Sequence, residues 1–190
     1  MVRKTKFNID IIIQYDTRER SLEFLKTIKI DKRRNKDGVK IIGLERVTVK
    51  PLGCTKSTSD ISYKWKFEDE DEWTQSNLGC EIKKGSDLFS SVYTKATRER
   101  LFREIERAKI AKLDFYFLIT DNMTELNKKI NAIRRFNENA CKISFDNFLK
   151  LNEYLRECGF RECLCTGNDL GWVIRRLIKN NIKKTKINYK

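Results

Sequence analysis

The chain has 190 residues, enough for one domain with a sizeable core, and its 41 basic against 27 acidic residues give a formal net charge of +14. Such an excess favours polyanions as partners, nucleic acid above all, although charge alone would also suit an acidic membrane surface. Because the sequence contains no histidine, every mechanism that depends on imidazole is excluded, and any hydrolysis must use carboxylates, lysine and a metal ion.

A nearly continuous apolar run over residues 8–15 predicts a first strand that is buried on both faces. Its apolar part at 9–13 contains Asp10 and is too short for a signal peptide. No other run approaches the ~20 apolar residues that span a bilayer. We therefore expect an intracellular protein, in the cytoplasm or nucleoid, a nucleus or a virus-infected cell, with no membrane partner.

Asp16 and Glu19 follow this strand and precede Leu22, Leu25 and Ile28, whose spacing indicates a helix. An aspartate followed three residues later by a glutamate is typical of a capping box, in which both side chains bind the helix start. On their spacing alone, the two acids are therefore interpreted as structural.

A second strand is predicted at 47–49, ending before Pro51. The next strand, 60–67, alternates polar and apolar residues and carries Asp60 on its polar face. An unbroken run of acids at 68–72 follows, which we interpret as a solvated hairpin loop. The alternative is an acidic flap that competes with DNA for a basic groove.

The strand predicted at 78–83 carries the most informative residues of the chain. Its alternation directs Glu81 and Lys83 to one face and packs the apolar residues beneath them. If this strand pairs with strand 60–67, Asp60 lies close to both. Two carboxylates can hold a divalent cation, and an ammonium group beside them can orient water or balance phosphate charge. The alternative is the solvated face of a hairpin.

The rest of the chain alternates helices with strands, which predicts an α/β sandwich with a mixed central sheet in a single domain. The predicted elements are a helix capped by Thr97 that buries Leu101, Ile105 and Ala108, a strand at 115–119, helices at 123–136 and 144–158, a strand at 160–166, a helix at 168–179 and a basic tail at about 180–190.

Cys158, Cys163 and Cys165 are clustered, which raises the question of zinc. They lack a paired C-x2-C arrangement, and no histidine is available to complete a site. Buried free thiols are therefore expected.

Taken in order, these segments resemble the nuclease domain of the XPF/MUS-type structure-specific endonucleases, within the restriction-endonuclease-like PD-(D/E)XK superfamily. Asp16-Thr17-Arg18-Glu19 is similar to the family's D-x-R-E at the end of the first strand. Ser59-Asp60-Ile61 matches G-D-Y, and Glu81-Ile82-Lys83 with Asp87 matches E-R-K and its following aspartate. The resemblance covers residues 9 to about 120 and implies a restriction-endonuclease-like sandwich.

Three positions depart from the family pattern, and the acid-acid-lysine set is retained. Ile82 stands where the family has arginine, Ser59 replaces the glycine, and Ile61 replaces the tyrosine. The arginine would have supplied a phosphate contact. No helix-hairpin-helix module, which the family commonly uses for duplex binding and partner docking, is recognisable.

The resemblance implies a Mg²⁺- or Mn²⁺-dependent endonuclease that cuts branched or flapped DNA in repair or recombination. Asp60 and Glu81 would be the principal metal ligands, joined by the backbone carbonyl of Ile82 and by Asp16. Lys83 would position the attacking hydroxide rather than act as a base, because neighbouring carboxylates raise its pKa. Glu19 would support the site, and Asp87 would orient Lys83 or cap the next helix. DNA contacts are expected from Arg18, Lys84, Arg98, Arg100, Arg103, Arg107, Arg175 and Arg176.

Other functions stay open at this point. A restriction-like or mobile-element nuclease would cut ordinary duplex DNA with the same residues. A non-catalytic DNA-binding subunit of a nuclease complex would retain the charge without the reaction. The sequence does not distinguish a homodimer from a complex with a heterologous partner.

Overall fold

One mixed seven-stranded sheet organises the computed structural model, which describes residues 8–17, 22–121 and 123–187. β1 pairs with β2 in parallel, β3 is antiparallel to β1 and β5, and β5, β6 and β7 are parallel. The strand order is β2 (Val39–Val47), β1 (Ile9–Asp16), β3 (Ile61–Phe67), β5 (Leu78–Lys83), β6 (Asp114–Ile119) and β7 (Arg161–Leu164), with β4 (Thr74–Gln75) paired to β3 outside this path.

Helices connect the strands and lie on both faces of the sheet, so the predicted α/β class with a mixed sheet is confirmed. They are a 3-10 helix (Leu22–Thr27), α1 (Gly85–Ser91), α2 (Lys95–Ile110), α3 (Met123–Phe136), α4 (Glu138–Glu157) and α5 (Leu170–Ile187). None of the helices in the described ranges has the length and apolarity that a bilayer crossing requires.

Two apolar cores lie on opposite faces of the sheet. On the first face, Tyr63 and Cys80 belong to a cluster with Ile174 of α5. On the second face, Phe115 and Phe117 of β6 pack with residues of α1, α2 and α4. Alternation along the strands therefore decides which helices a given side chain meets.

Gly79 of β5 lies directly under this second core. A Cβ atom at this position would be 2.9 Å from Cδ2 of Phe115 and 3.2 Å from Cδ1 of Leu113. The close approach of the Phe115 ring explains why the strand has no side chain here.

On the same face, the neighbouring strands β1, β2 and β3 carry interacting polar side chains. Gln14 donates a hydrogen bond of 2.9 Å to Glu45, and the Lys64 ammonium group lies 2.9 Å from the same carboxylate. The hydrogen bonds from Gln14 and Lys64, together with the charge of Lys64, lower the pKa of Glu45. The second face is thus apolar beside the helices and polar over β1 to β3.

The N-terminal elements differ from the sequence predictions. The second strand occupies Val39–Val47, not 47–49, and Val49 is buried without belonging to it. A register shift between Ile11 and Ile12 interrupts the pairing of this strand with β1, so the polar–apolar alternation is broken. The spacing of Leu22 and Leu25 corresponds to a single short 3-10 helix.

Two helix starts also differ. Thr94, not Thr97, is the N-cap of α2, and its side chain accepts from the amide of Thr97. Helix α4 begins at Glu138 rather than at 144, because Asn137 caps it by accepting a 2.9 Å hydrogen bond from the Ala140 amide.

The predicted basic tail is largely part of a helix. α5 continues to Ile187, and Asn181 within it accepts a 2.7 Å hydrogen bond from the buried Tyr63 hydroxyl. Lys184 binds the Asp114 carboxylate at 2.9 Å. Residues 180–187 therefore help to hold the sheet, and only 188–190 lie outside the described residues.

The cysteines are free thiols, as predicted. Cys80, Cys141 and Cys165 are buried, and Cys158 and Cys163 are half-buried. Burial, with smaller contributions from Cys163 and Asp169, raises the pKa of Cys165 to about 11. Such thiols are poor nucleophiles and poor metal ligands at neutral pH.

Candidate active site

Three strand ends meet at one edge of the sheet. Asp16 is the last residue of β1, Asp60 immediately precedes β3, and β5 ends at Lys83. The Asp16 amide donates to the Asp60 carbonyl at 2.8 Å, and the Asp60 amide donates to the Cys80 carbonyl at 3.0 Å. Because β3 is antiparallel to both neighbours, its first residues lie beside their last ones. The predicted pairing of the Asp60 and Glu81 strands is confirmed.

The Asp60 carboxylate is held by the backbone of the neighbouring strand. Its Oδ2 accepts a 2.8 Å hydrogen bond from the amide of Ile82. This contact fixes the carboxylate beside Glu81, whose own side chain points to the same face. Ile82, which stands where the resembling family has arginine, thus holds the Asp60 carboxylate through its backbone amide.

Glu81 and Lys83 form a close ion pair, with Oε1 and Nζ 2.6 Å apart. Burial raises the pKa of Glu81 to about 8; the charge of Asp60 adds to this effect and Lys83 opposes it. Burial lowers the pKa of Lys83, but the charges of Glu81 and Asp60 outweigh it, and the pKa lies above its ordinary value. The lysine is therefore a cation at neutral pH and a poor general base, as the sequence predicted.

These three side chains line a cleft of about 430 Å³. One part of its wall is the segment that leads into β3, and another is a face of α2 on which residues recur at helical spacing. The lining residues are Lys56, Ser57, Thr58, Ser59, Asp60, Glu81, Lys83, Arg100, Glu104 and Arg107.

Asp16 does not line the cleft. Its side chain is almost completely buried (1 % exposed), and its Oδ2 accepts a 2.7 Å hydrogen bond from Ser57 Oγ. Asp16 thereby anchors the segment that forms the cleft wall. Glu19 and Arg18, expected in the same motif, lie outside the described residues.

Asp87 and Lys84 are also outside the cleft. Asp87 is exposed in the first turn of α1, where its amide donates to the Lys84 carbonyl at 3.0 Å. Glu81 provides the close ion-pair contact of Lys83. Asp87 is the third residue of α1, within its first turn and not at the N-cap position, and its side chain is exposed, so the prediction that it orients Lys83 or caps the helix is not supported. Lys84 is exposed and does not line the cleft.

The four arginines of α2 that were proposed for DNA contacts divide into two groups. Arg100 and Arg107 line the cleft, whereas Arg98 donates to the Val92 carbonyl at 3.2 Å and Arg103 is exposed elsewhere on α2. Residues 100, 104 and 107 share one face of α2 and Arg98 lies on the opposite face, whereas Arg103 lies at the border of the cleft face without lining the cleft.

Arg175 and Arg176 lie on α5, which packs on the other face of the sheet. Glu81 is in register with Phe117 and shares the face of the second core, whereas α5 belongs to the first core. Arg175 binds the Asp31 carboxylate and the Lys29 carbonyl. Arg176 lies 5.2 Å from the ring centre of Trp172. Neither arginine lines the cleft.

The acidic run at 68–72 lies at the opposite end of the sheet. Phe67 pairs with Ile9, the first residue of β1, while the cleft is beside Asp16, the last. A strand of this length spans roughly 20 Å. Competition of an acidic flap with ligands in this cleft is therefore not supported.

Sequence reasoning missed Lys56, Ser57, Thr58, Ser59 and Glu104 among the cleft residues. Glu104 carried a usable signal, since it lies four residues after Arg100 and three before Arg107 on a predicted helix. The segment 56–59 carried none, because its position depends on the hydrogen bond between Ser57 and the distant Asp16.

Metal binding at this site would rest on two carboxylates. The described residues contain no group of three or more Asp, Glu or Cys side chains that could hold a metal ion. Asp60 and Glu81 are nevertheless oxygen donors of the kind that Mg²⁺ prefers, and Mg²⁺ usually retains several waters beside one or two carboxylates. Their mutual repulsion, visible in the raised pKa of Glu81, would be relieved by a cation. The donor set therefore fits the ion.

No protein-family model and no curated protein sequence matches this chain. The resemblance to XPF/MUS-type nucleases accordingly rests on the order of the motifs.

Proposed function

We propose that this protein is a metal-dependent DNA endonuclease with a restriction-endonuclease-like fold, which hydrolyses phosphodiester bonds. The observation that carries the proposal is the convergence of Asp60, Glu81 and Lys83 at adjacent strand ends on the floor of one cleft. Chance placement on a solvated hairpin does not account for it, because Glu81 is buried (7 % exposed). A buried, charged cluster in a cleft is a functional-site candidate.

Asp60 and Glu81 would hold Mg²⁺ or Mn²⁺, with the Ile82 carbonyl as a third oxygen ligand. Bound there, the ion would supply Lewis-acid stabilisation of a phosphoryl oxygen and acidify a bound water. The chain's contribution is to keep both carboxylates in place, Asp60 through the Ile82 amide and Glu81 through Lys83.

Lys83 would act as a cation that positions the attacking oxygen and stabilises the negative charge that develops on the phosphate. Its raised pKa keeps the ammonium group protonated at neutral pH. It can donate hydrogen bonds to the attacking oxygen and to a phosphate oxygen as negative charge develops there. Its ion pair with Glu81 keeps it directed toward the same side of the cleft as the metal ligands.

DNA is the proposed substrate because the net charge of +14 favours a polyanion and because four basic side chains, Lys56, Lys83, Arg100 and Arg107, line the cleft. Branched or flapped DNA comes from the family resemblance alone. A nuclease that acts on ordinary duplex has the same site, so the structure of the preferred DNA must be measured.

The test compares labelled flap, fork, four-way and linear DNA, each with Mg²⁺ or EDTA. Asp60→Ala is expected to lower cleavage at least ~100-fold. Lys83→Ala is expected to lower it about 10- to 100-fold. Lys150→Ala, an exposed lysine of α4, serves as the charge-matched control. Equal cleavage by Asp60→Ala and wild type would exclude this site, and equal rates on linear and branched DNA would favour the duplex nuclease.

The second candidate is a non-catalytic DNA-binding subunit. It is favoured by the burial of Asp16 away from the cleft, which leaves two acids where the resembling family has three. This candidate predicts DNA binding without cleavage of any of the four substrates in Mg²⁺ or Mn²⁺.

A further inference from the structure

The cleft contains polar groups that the proposed hydrolysis does not use. Among its lining residues, four cations face three carboxylates, so one positive charge is in excess before any metal binds. The carboxylates are Asp60, Glu81 and Glu104, and the cations are Lys56, Lys83, Arg100 and Arg107. Because Asp60, Glu81 and Lys83 form the proposed centre, the remaining three cations and Glu104 require a separate explanation.

Glu104 lies between two guanidinium groups and binds both only loosely. Its Oε1 is 3.3 Å from Arg100 Nε and 4.0 Å from Arg107 Nη2. A well-formed pair of this kind has nitrogen–oxygen distances of about 2.7–2.9 Å and uses both oxygens. One carboxylate oxygen shared between two arginines therefore leaves most of their donors available to another anion.

Two buried atoms of cleft-lining residues, one on the segment before β3 and one on α2, have no hydrogen-bond partner. Ser59 Oγ is one of them, and the residue is 3 % exposed; Arg107 Nε is the other. Buried polar atoms are almost always hydrogen-bonded, so exceptions at a cleft are candidates for ligand contacts. A hydroxyl and a guanidinium Nε–H are both donors, and their common complement is an oxyanion.

We propose that Arg100, Arg107 and Ser59, with Lys56 at the rim, form a subsite for a backbone phosphate that flanks the reacting one. When no phosphate is bound, the Glu104 carboxylate contacts the guanidinium groups of both arginines. The inference rests on the proposed function, since it assumes a nucleic-acid strand in the cleft, and it assigns a second phosphate contact beside the metal-binding carboxylates. It also supplies the phosphate contact that Ile82 cannot make.

Glu104→Gln gives the most specific test, because removing a competing anion should tighten binding. Glu99→Gln is the matched control: Glu99 is on the same helix, exposed, and 3.9 Å from Lys95. Both variants change the net charge equally. Affinity for a fluorescein-labelled linear duplex is measured by anisotropy in EDTA over a range of salt concentrations. We expect about threefold tighter binding for Glu104→Gln and less than half of that gain for Glu99→Gln.

Arg107→Gln tests the same subsite from the opposite direction, with Arg103→Gln as its comparison on α2. Loss of a phosphate contact should weaken binding about fivefold and reduce the salt slope by about 1. Arg103→Gln, whose side chain is outside the cleft, should have a smaller effect on both. Thermal unfolding of each variant verifies that the helix is intact.

Equal changes for Glu104→Gln and Glu99→Gln, or for Arg107→Gln and Arg103→Gln, would overturn the subsite. The nuclease proposal would survive that result if Asp60-dependent cleavage persists in Mg²⁺. If wild-type protein does not bind the duplex at low salt, both the proposed function and the subsite are wrong.

Discussion

The two ends of the β1–β3 strand pair shift the pKa values of their carboxyl groups in opposite directions. At the end where Ile9 meets Phe67, Arg34 Nη2 lies 2.8 Å from a carboxylate oxygen of Asp10 and 2.8 Å from one of Glu68. Hydrogen bonds from Arg34 and Asn8 lower the pKa of Glu68. At this end both carboxylates contact the same guanidinium group, and the charged form of Glu68 is favoured.

At the other end, two acids also lie beside one lysine, but here burial raises the pKa of one of them. Asp60 lies beside the buried Glu81, whose pKa rises to about 8 although Lys83 is 2.6 Å away. Burying the Glu81 carboxylate beside a second carboxylate costs folding free energy, which a sequence selected for stability alone would avoid. The cation site that we propose at this end would account for that cost, whereas the contacts at the first end favour the charged carboxylates of the folded state.

The largest contrast is expected in catalysis. Glu81→Gln should lower Mg²⁺-dependent cleavage at least ~100-fold, because one of the two metal-binding carboxylates is lost. Glu68→Gln removes the same charge at the opposite end and should change the rate less than about twofold. Both rates are measured on the best substrate at saturating Mg²⁺. Similar losses in the two variants would mean that overall charge, rather than the site, controls the rate.

Without metal, Glu81→Gln should raise the free energy of unfolding although it lowers the rate of cleavage. The pKa of the Glu81 carboxyl moves from 4.5 to about 8 on folding, so the folded state binds a proton that the unfolded state has released in this range. Stability therefore falls as the pH rises from about 4.5 to 8, and Glu81→Gln escapes this loss. In EDTA at pH 8.5 the variant should be about 1 kcal/mol more stable than wild type, and at pH 4.5 it should have no advantage.

Urea unfolding at the two pH values measures this difference, with Glu68→Gln as the comparison. The pKa of Glu68 is lowered, so its contribution has the reverse sign: it is present above the unfolded pKa and lost as the pH falls. A Glu81→Gln variant that is less stable than wild type at pH 8.5 would contradict the raised pKa.

Magnesium should stabilise the wild-type protein through the site end only. An ion that binds the native state raises the unfolding free energy by an amount set by its concentration relative to Kd, about 2.7 kcal/mol at one hundred times Kd. Thermal unfolding with and without Mg²⁺ should show this rise for wild type and Glu68→Gln but not for Glu81→Gln. An unchanged unfolding temperature in wild type at high Mg²⁺ would count against the metal site.

The smallest effect is expected at the Arg34 end. Arg34→Gln removes a cation shared by Asp10 and Glu68 and a 3.0 Å hydrogen bond to the Ile9 carbonyl. Partly exposed ion pairs contribute little, so a loss of about 1 kcal/mol is expected in urea unfolding, and high salt should reduce it. A salt-independent loss would show that the Ile9 contact carries the effect. Cleavage should be unaffected.

Local patterns were sufficient to predict much of the fold. The helix at 123–136 and the strand at 115–119 are in place, the strand because its continuous apolar run is buried along its whole length. The strand at 39–47 was missed because Lys40 and Gly43 interrupt its apolar residues, and its buried positions are decided by pairing with β1. Long-range pairing, unlike helix periodicity, leaves no local trace.

The site divides in the same way. Asp60, Glu81 and Lys83 could be predicted because strand alternation and one pairing bring them together. Whether Asp87 and Arg103 line the cleft could not be predicted, because sequence spacing does not show which face of α1 or α2 meets the cleft. Ser59 was treated only as a family departure, because its contribution depends on how an irregular segment folds over Asp16.

Gly79 has a consequence for genetics. A methyl group there would meet Phe115 at 2.9 Å, and the Phe115 ring is itself held by Phe117 and Phe160 at centroid distances of 5.4 and 5.2 Å. Relief requires β5 to shift, and Glu81 is two residues further along that strand. Gly79→Ala is therefore expected to be a temperature-sensitive variant, which changes no residue of the cleft yet loses its folded site at a lower temperature than the wild-type protein.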